Sequence, residues 1–453
     1  MSWHWALRLH NDDHSRIKTH YSRRAWLWYH LFKRSDQYSV VQKDQQLFQQ
    51  YIVDCFAIIN QSQLKFPWYN QKIIHADLYK DLVNAITKKN DDSELIDHRI
   101  ILSSSYTEKN RWMQQLYQNF MIIARYFEKS IMFVTCTANS HWFKIIAAFK
   151  LNQKVENWLN IITWVFHEKI KTLLQNLKTQ YNQYLDIVWT IEYQKRDLSH
   201  IYILLFLHWK NNFLEWVCMN ELICAEFSNL NIDLNESLQR IIKNQLTHDS
   251  CDVWNSSASC MKDNSKDSEW VCEKKFSKSY QIEIMIQLND YSLYKRCQND
   301  RIWMKHVNDR DVHLNNTWVM SYNSYLTCKY NAHINVKICE SIQIIKYIHK
   351  YVYKEEDQTI MKLKNNLNEI IHHLNDHYIF LNQTAWNLFK FCSHIENSFI
   401  TRLIMHLSDE QSMYFSKNVT VKQIQIILNE IETTLTAWFW YNQQHSNERA
   451  LLY

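Results

Sequence analysis

The 453-residue chain has no glycine and one proline, Pro67, where average usage would supply about 30 and about 20. Without a residue that lacks Cβ it cannot build GxGxxG dinucleotide loops, phosphate-cradling P-loops or the GxSxG nucleophile elbow, so those mechanisms are excluded. Its formal charge of +5 permits contact with nucleic acid but is also what an ordinary solvated surface would give.

In chain order, residues 1–40 are rich in His, Trp and Arg and show no clear period. From Gln45 to Ile59, the spacing of Leu47, Tyr51, Ile52, Cys55 and Ile59 predicts one face of a helix. Trp112–Phe127 reads as a second, strongly apolar helix, and Met132–Thr137 as a strand. Lys169–Tyr184 reads as a helix, followed by Ile187–Tyr193 and Ile201–Leu207, two runs of β-formers expected to be adjacent strands of a buried sheet. Ser250–Ser279 is polar and cysteine-containing and is expected to be an irregular insert. Helical patterns resume over Ser341–Lys354, Leu363–Phe380 and Val421–Tyr441. This order favours an α+β fold with an antiparallel sheet flanked by helices. The expected organisation is an unassigned segment 1–40, a region 41–240 with the sheet, a Cys/His insert and connection 241–330, and a helical region 331–453.

No apolar run approaches the roughly 20 residues of a membrane span, so no membrane partner is expected. The amino terminus lacks a signal-peptide core, and eleven cysteines, an odd number, argue for a reducing compartment without a disulfide framework.

Three constellations could carry chemistry. Tyr347 and Tyr351 in KYIHKYVYK (346–354) share a helix face, among Lys346, Lys350 and Lys354. Phenols beside ammonium groups suit attack on a phosphodiester, although two aromatics packed on a core have the same spacing. His200 and Tyr202 alternate along a strand and could face one divalent ion; a lone strand-end histidine is also common as a structural residue. His248, Cys251, Cys260 and Cys272 make one imidazole and three thiols, a complete tetrahedral zinc set at a spacing that matches no common finger. Two weaker candidates are Glu369-x-x-His372 and the set His306, Asp309 and His313, read as one helical face.

Taken together, the motifs resemble the Helitron transposase family of eukaryotic rolling-circle transposons. RIILSSSYTE (99–108) is similar to the family's RIILPSSFTG, and FVTCTANSHW (133–142) to its FxTFTCNPxW. IEYQKRDLSHIY (191–202) follows IEFQKRGLPHAH, the two-histidine HUH motif, and HDSCD (248–252) follows HGPCG. KYNAHINVKIC (329–339) is almost unaltered, the Tyr347/Tyr351 pair follows as in YxxxY, and TTLTAW (433–438) continues the match.

The resemblance implies an HUH-type nuclease core that nicks and joins single-stranded DNA in the nucleus. His200, the residue at 202, and Glu192 or Gln194 would hold Mg²⁺ or Mn²⁺. Tyr347 or Tyr351 would form a 5′-phosphotyrosine, and Lys346, Lys350, Lys354 and Arg196 would contact DNA. The family's helicase half is not expected here, so neither is binding of a nucleoside triphosphate.

The departures follow one pattern. Where the family has Gly, this chain has Glu108, Asp197, Asp249, Asp252 and Glu355; where it has Pro, Ser103, Ser199 and Ser250. The second HUH histidine is Tyr202. All of these fit C-to-T and G-to-A transitions, so the expected reading is a mutated transposon copy with impaired catalysis. The alternative is a non-catalytic single-strand-binding module with a structural zinc site.

Overall fold

The computed structural model describes residues 22–31, 46–71, 77–78, 100, 102, 106, 110–127, 131–148, 159–180, 184–193, 198–207, 222–228, 234–248, 251, 255, 258, 260–264, 269–285, 292–299, 301–307, 310–339, 368–376, 380–398, 400, 403, 405–407, 412–413, 426 and 433–445. The chain divides into two compact units: Met1–Asp54, Phe120–Lys354 and Ile379–Ser398 form the first; Cys55–Asn119, Glu355–Tyr378 and Phe399–Tyr453 form the second.

In chain order the described elements begin with helices α1 (Arg23–Leu31) and α2 (Gln46–Tyr69), strand β1 (Asp77–Leu78), helix α3 (Asn110–Phe127) and strand β2 (Ile131–Thr137). Helices α4 (Phe143–Ile146) and α5 (Leu159–Gln180) precede strands β3 (Tyr184–Tyr193) and β4 (Ser199–Leu207) and helix α6 (Leu234–Ile241). Two hairpins follow, β5 (Met261–Asn264) with β6 (Glu269–Cys272), and β7 (Trp303–Val307) with β8 (Arg310–Leu314). Helix α7 (Ser324–Tyr330), strand β9 (Ile334–Cys339), helices α8 (Glu369–Asp376) and α9 (Leu381–Leu388), strands β10 (His394–Glu396) and β11 (Ser412–Met413), and helix α10 (Thr434–Gln444) complete the set.

The first unit is built on a five-stranded sheet in the order β10-β3-β4-β2-β9, with every pairing antiparallel. Central β4 reads SHIYILLFL and is buried almost throughout, as expected for a continuous apolar run covered on both faces. One face of the sheet presents Met132, Val134 and Cys136, Ile187, Trp189 and Ile191, Ile201, Ile203 and Leu205, and Ile334, Val336 and Ile338. These pack with Phe166, Ile170, Leu173 and Leu177 of α5 and Trp386 of α9. Each buried aliphatic side chain contributes about 1.5–3 kcal/mol, so this layer fixes the sheet's register. The opposite face is polar toward one end; just before and along β9 it carries the half-buried His333, Asn335 and Lys337, in strict alternation with buried Ile334, Val336 and Ile338.

In the second unit, Leu64, Leu102 and Ile370 share a small core. Here Glu369 is structural, accepting the Leu102 N–H at 3.0 Å.

Several boundaries differ from the sequence reading. Helix α5 begins at Leu159 instead of Lys169, and Tyr184 belongs to β3. In α2, Phe48 is the buried residue of the first turn and Leu47 is 71% exposed, because two adjacent apolar residues left the helical phase ambiguous. The insert is less irregular than expected, since it folds the β5–β6 hairpin. His306 and His313 lie on paired strands, not on a helical face; His306 Nδ1 meets Asp311 at 2.9 Å. The expected helix Ser341–Lys354 lies outside the described residues.

Candidate functional site

One row of residues crosses four strands at the polar end of the sheet. Glu192 pairs with His200, His200 pairs with Thr137, and the Thr137 N–H donates to the His333 carbonyl at 3.0 Å. Directly opposed residues project to the same side of a sheet, so β3, β4, β2 and the residue just before β9 each place one polar side chain at this edge.

The local sequence explains why the row forms here. Past β2 the chain must turn, and Asn139 braces the turn by accepting the His141 N–H at 2.8 Å and donating to the Asn331 carbonyl at 2.7 Å. Trp142 Nε1 donates to the Tyr330 carbonyl at 2.8 Å. Asn331 itself takes the left-handed conformation (φ 44°) that ends α7 and feeds His333 into β9. The segments 133–142 and 329–339 are thus clamped together.

Within the row, Thr137 Oγ1 lies 2.8 Å from His200 Nδ1 and 3.3 Å from His333 Nδ1. Burial lowers the His200 pKa to about 3, helped by His333 and the Lys274 ammonium. Burial also lowers His333, to about 4, and Lys274 adds to that effect. Both imidazoles are therefore neutral at pH 7 and able to donate a lone pair. His333 was not singled out as a site residue in the sequence. The signal that could have found it is its place in KYNAHINVKIC, at the head of a strand with a polar residue at every second position.

One rung further in, Tyr202 sits opposite Thr190 and Thr135, and its ring lies parallel to Phe133 at 5.9 Å. Its hydroxyl donates to Glu192 Oε2. The described residues at this edge do not suit a hard divalent cation: position 202, two along the strand from His200, holds a phenol, and that phenol is hydrogen-bonded to the Glu192 carboxylate. Gln194, Arg196, Lys346, Tyr347, Lys350, Tyr351 and Lys354 lie outside the described residues.

The insert does gather its four residues. The ligand atoms of His248, Cys251, Cys260 and Cys272 all lie within 4.8 Å of one another, the only such cluster of three or more His, Cys, Asp or Glu among the described residues. His248 emerges where the helical stretch after α6 ends, and its N–H donates to the Trp318 carbonyl at 2.9 Å. Cys260 immediately precedes β5, and Cys272 closes β6 opposite Met261. Burial pushes the Cys251 and Cys260 thiols up. At Cys272 burial acts the same way but is outweighed by N–H donors from Phe276 and Lys274, leaving its pKa lowered. This cluster could bind a metal such as zinc.

Residues 26–205 match the family model for the Helitron helicase-like domain at the N-terminus, about two fifths of the chain. The matched segment runs through β2, β3 and most of β4, and so contains His200, Tyr202 and Glu192. No curated protein matches the chain. The family match supports a Helitron-related protein, and a domain of that kind suggests interaction with DNA. No described helix is long and apolar enough to cross a membrane.

Proposed function

We propose that the chain is a copy of a rolling-circle transposase nuclease region that engages single-stranded DNA in the nucleus and whose nicking chemistry is impaired. The observation that carries this reading is the row Glu192, His200, Thr137 and His333 across the antiparallel sheet, of which Glu192, His200 and Thr137 lie in the segment that matches the Helitron-type domain. Such a row is where an HUH nuclease would assemble its cation site. Of the resemblance-implied ligands, His200 remains, with Glu192 or Gln194 as the further one. The second histidine of the motif is replaced by Tyr202, and a phenol is a poor substitute for imidazole as a ligand. Tyr347 and Tyr351 keep the spacing of the family's nucleophiles.

The replacements of family Gly and Pro by Asp, Glu and Ser support the same history of mutation. All three described residues with positive φ, Lys275, Asn331 and Lys390, are non-glycine. At Lys275 and Lys390 a side chain with Cβ costs about 1 kcal/mol, whereas asparagine takes this conformation readily.

The test is cleavage of a labelled single-stranded oligonucleotide in Mn²⁺ by the natural chain and by Tyr202→His. The reading requires little or no cleavage by the first and a gain of at least about tenfold by the second, equivalent to about 1.4 kcal/mol of barrier. Equal rates would refute it.

A further inference from the structure

The Cys/His cluster has metal-site dimensions. His248 Nε2 lies 3.6 Å from Cys251 Sγ and 3.6 Å from Cys272 Sγ. A tetrahedral zinc with bonds of about 2.3 Å to sulfur and about 2.0–2.1 Å to nitrogen has an N···S edge of about 3.5–3.6 Å. One imidazole nitrogen offers a single lone pair or a single N–H, so two thiols at the same distance are better explained by a shared centre than by two hydrogen bonds. Soft thiolates with one imidazole also select zinc over Mg²⁺ or Mn²⁺.

The same cluster anchors a turn rich in cations. From Cys272 the chain runs through Lys274, Lys275 and Lys278. The Lys275 N–H donates to the Cys272 carbonyl at 2.8 Å, and Lys278 Nζ donates to the Lys274 carbonyl at 2.8 Å. The Lys278 ammonium lies 5.1 Å from the centre of the Phe276 ring, which stacks on His248 at 4.3 Å. The turn therefore wraps around a metal-ligand ring. Lys274 is also near enough for its charge to lower both His200 and His333. Burial lowers Lys278 to about 8, with Lys337, Arg296 and Lys275 adding to it and Cys272 acting the other way. Lys337 stands on β9 on the same sheet face as His333. Cations gathered in this way suit a polyanion, and a phosphodiester chain supplies one.

We propose that zinc held by His248, Cys251, Cys260 and Cys272 locks the 272–278 turn, so that Lys274 and Lys278 stand with Lys337 as a phosphate grip for a single DNA strand beside His200. The metal centre stands on its own geometry; the grip rests on the single-strand reading above. Zinc acts here as a clamp on the fold and takes no part in strand cleavage.

The experiment uses the full chain. Zinc per chain is measured by mass spectrometry, and cobalt is exchanged in to read thiolate charge-transfer bands. Binding of a labelled oligothymidine is followed by anisotropy across a salt series before chelation, after chelation and after zinc is restored. One zinc per chain, cobalt–thiolate bands lost in Cys251→Ser, and strand binding that falls on chelation and returns with zinc are expected. Lys274→Gln/Lys278→Gln keeps the ligands and should retain zinc, while the slope of log K against log salt falls by about 1.4, two lost phosphate contacts. A chain without zinc, or without thiolate bands in the cobalt form, overturns the metal site even if Cys251→Ser fails to fold. Zinc present with an unchanged salt slope in the lysine variant overturns the grip. Neither result depends on cleavage, so failure of the nuclease reading shows separately, in the Tyr202→His assay.

Discussion

The Tyr202 hydroxyl donates a hydrogen bond to the Glu192 carboxylate across adjacent strands of the central sheet. The phenol thus ties up a carboxylate at the polar edge of the sheet. Tyr202→Phe keeps the stack on Phe133 and removes only that donor. The expected loss is about 1.5–3 kcal/mol, as for a hydrogen bond to a charged group. Chemical denaturation of the two chains measures it, and no change in stability would mean the contact contributes nothing.

Thr137 joins the two histidines of the row. Its single hydroxyl reaches His200 Nδ1 at 2.8 Å and His333 Nδ1 at 3.3 Å. Thr137→Val keeps the shape and removes both partners, for an expected destabilisation of about 1–3 kcal/mol. A lowered denaturation midpoint with an unchanged slope is the predicted signature.

Acid should weaken the fold through the same pair. Burial holds His200 at about 3 and His333 at about 4, below the ordinary histidine value of about 6.5. As pH falls through about 6.5 the unfolded chain takes up protons that the folded chain does not. Stability is therefore full above that pH and is lost as pH falls toward about 3–4, by at most about 1.4 kcal/mol per pH unit per histidine. A pH series of unfolding midpoints checks this, and His333→Gln should flatten the slope between pH 6 and 4.

Lys390 closes α9 in the left-handed conformation, φ 56°, where the Phe391 N–H donates to the Trp386 carbonyl at 3.1 Å. Glycine occupies this position at many helix ends because it has no Cβ to clash. Lys390→Gly should therefore stabilise the chain by about 1 kcal/mol. A lower unfolding midpoint for this variant would contradict the strain argument.

Much of the sheet was legible in the sequence. IVWTIEY and IYILLFL are runs rich in β-branched and aromatic residues, and they became the paired strands β3 and β4. The four insert residues were legible as a donor set because His and Cys rarely gather by chance, although only the β5–β6 hairpin shows how Cys260 and Cys272 are brought together. Other features could not be read. The phase of α2 was ambiguous because Leu47 and Phe48 are adjacent and both apolar. His306 and His313 are separated by seven positions, which suits a helix as well as a hairpin. The importance of His333 comes from a strand pairing with a residue almost 200 positions away, which no local pattern encodes.

The most direct test of the nuclease lineage is covalent capture of DNA. A 5′-modified single-stranded substrate is incubated with Mn²⁺ and the Tyr202→His chain, and the products are read by mass spectrometry for a phosphotyrosyl adduct. The account predicts an adduct on Tyr347 or Tyr351 that disappears in the Tyr347→Phe/Tyr351→Phe version and is weak or missing in the natural chain. An adduct that survives loss of both tyrosines, or a restored histidine that yields no adduct while the chain remains folded, would contradict it.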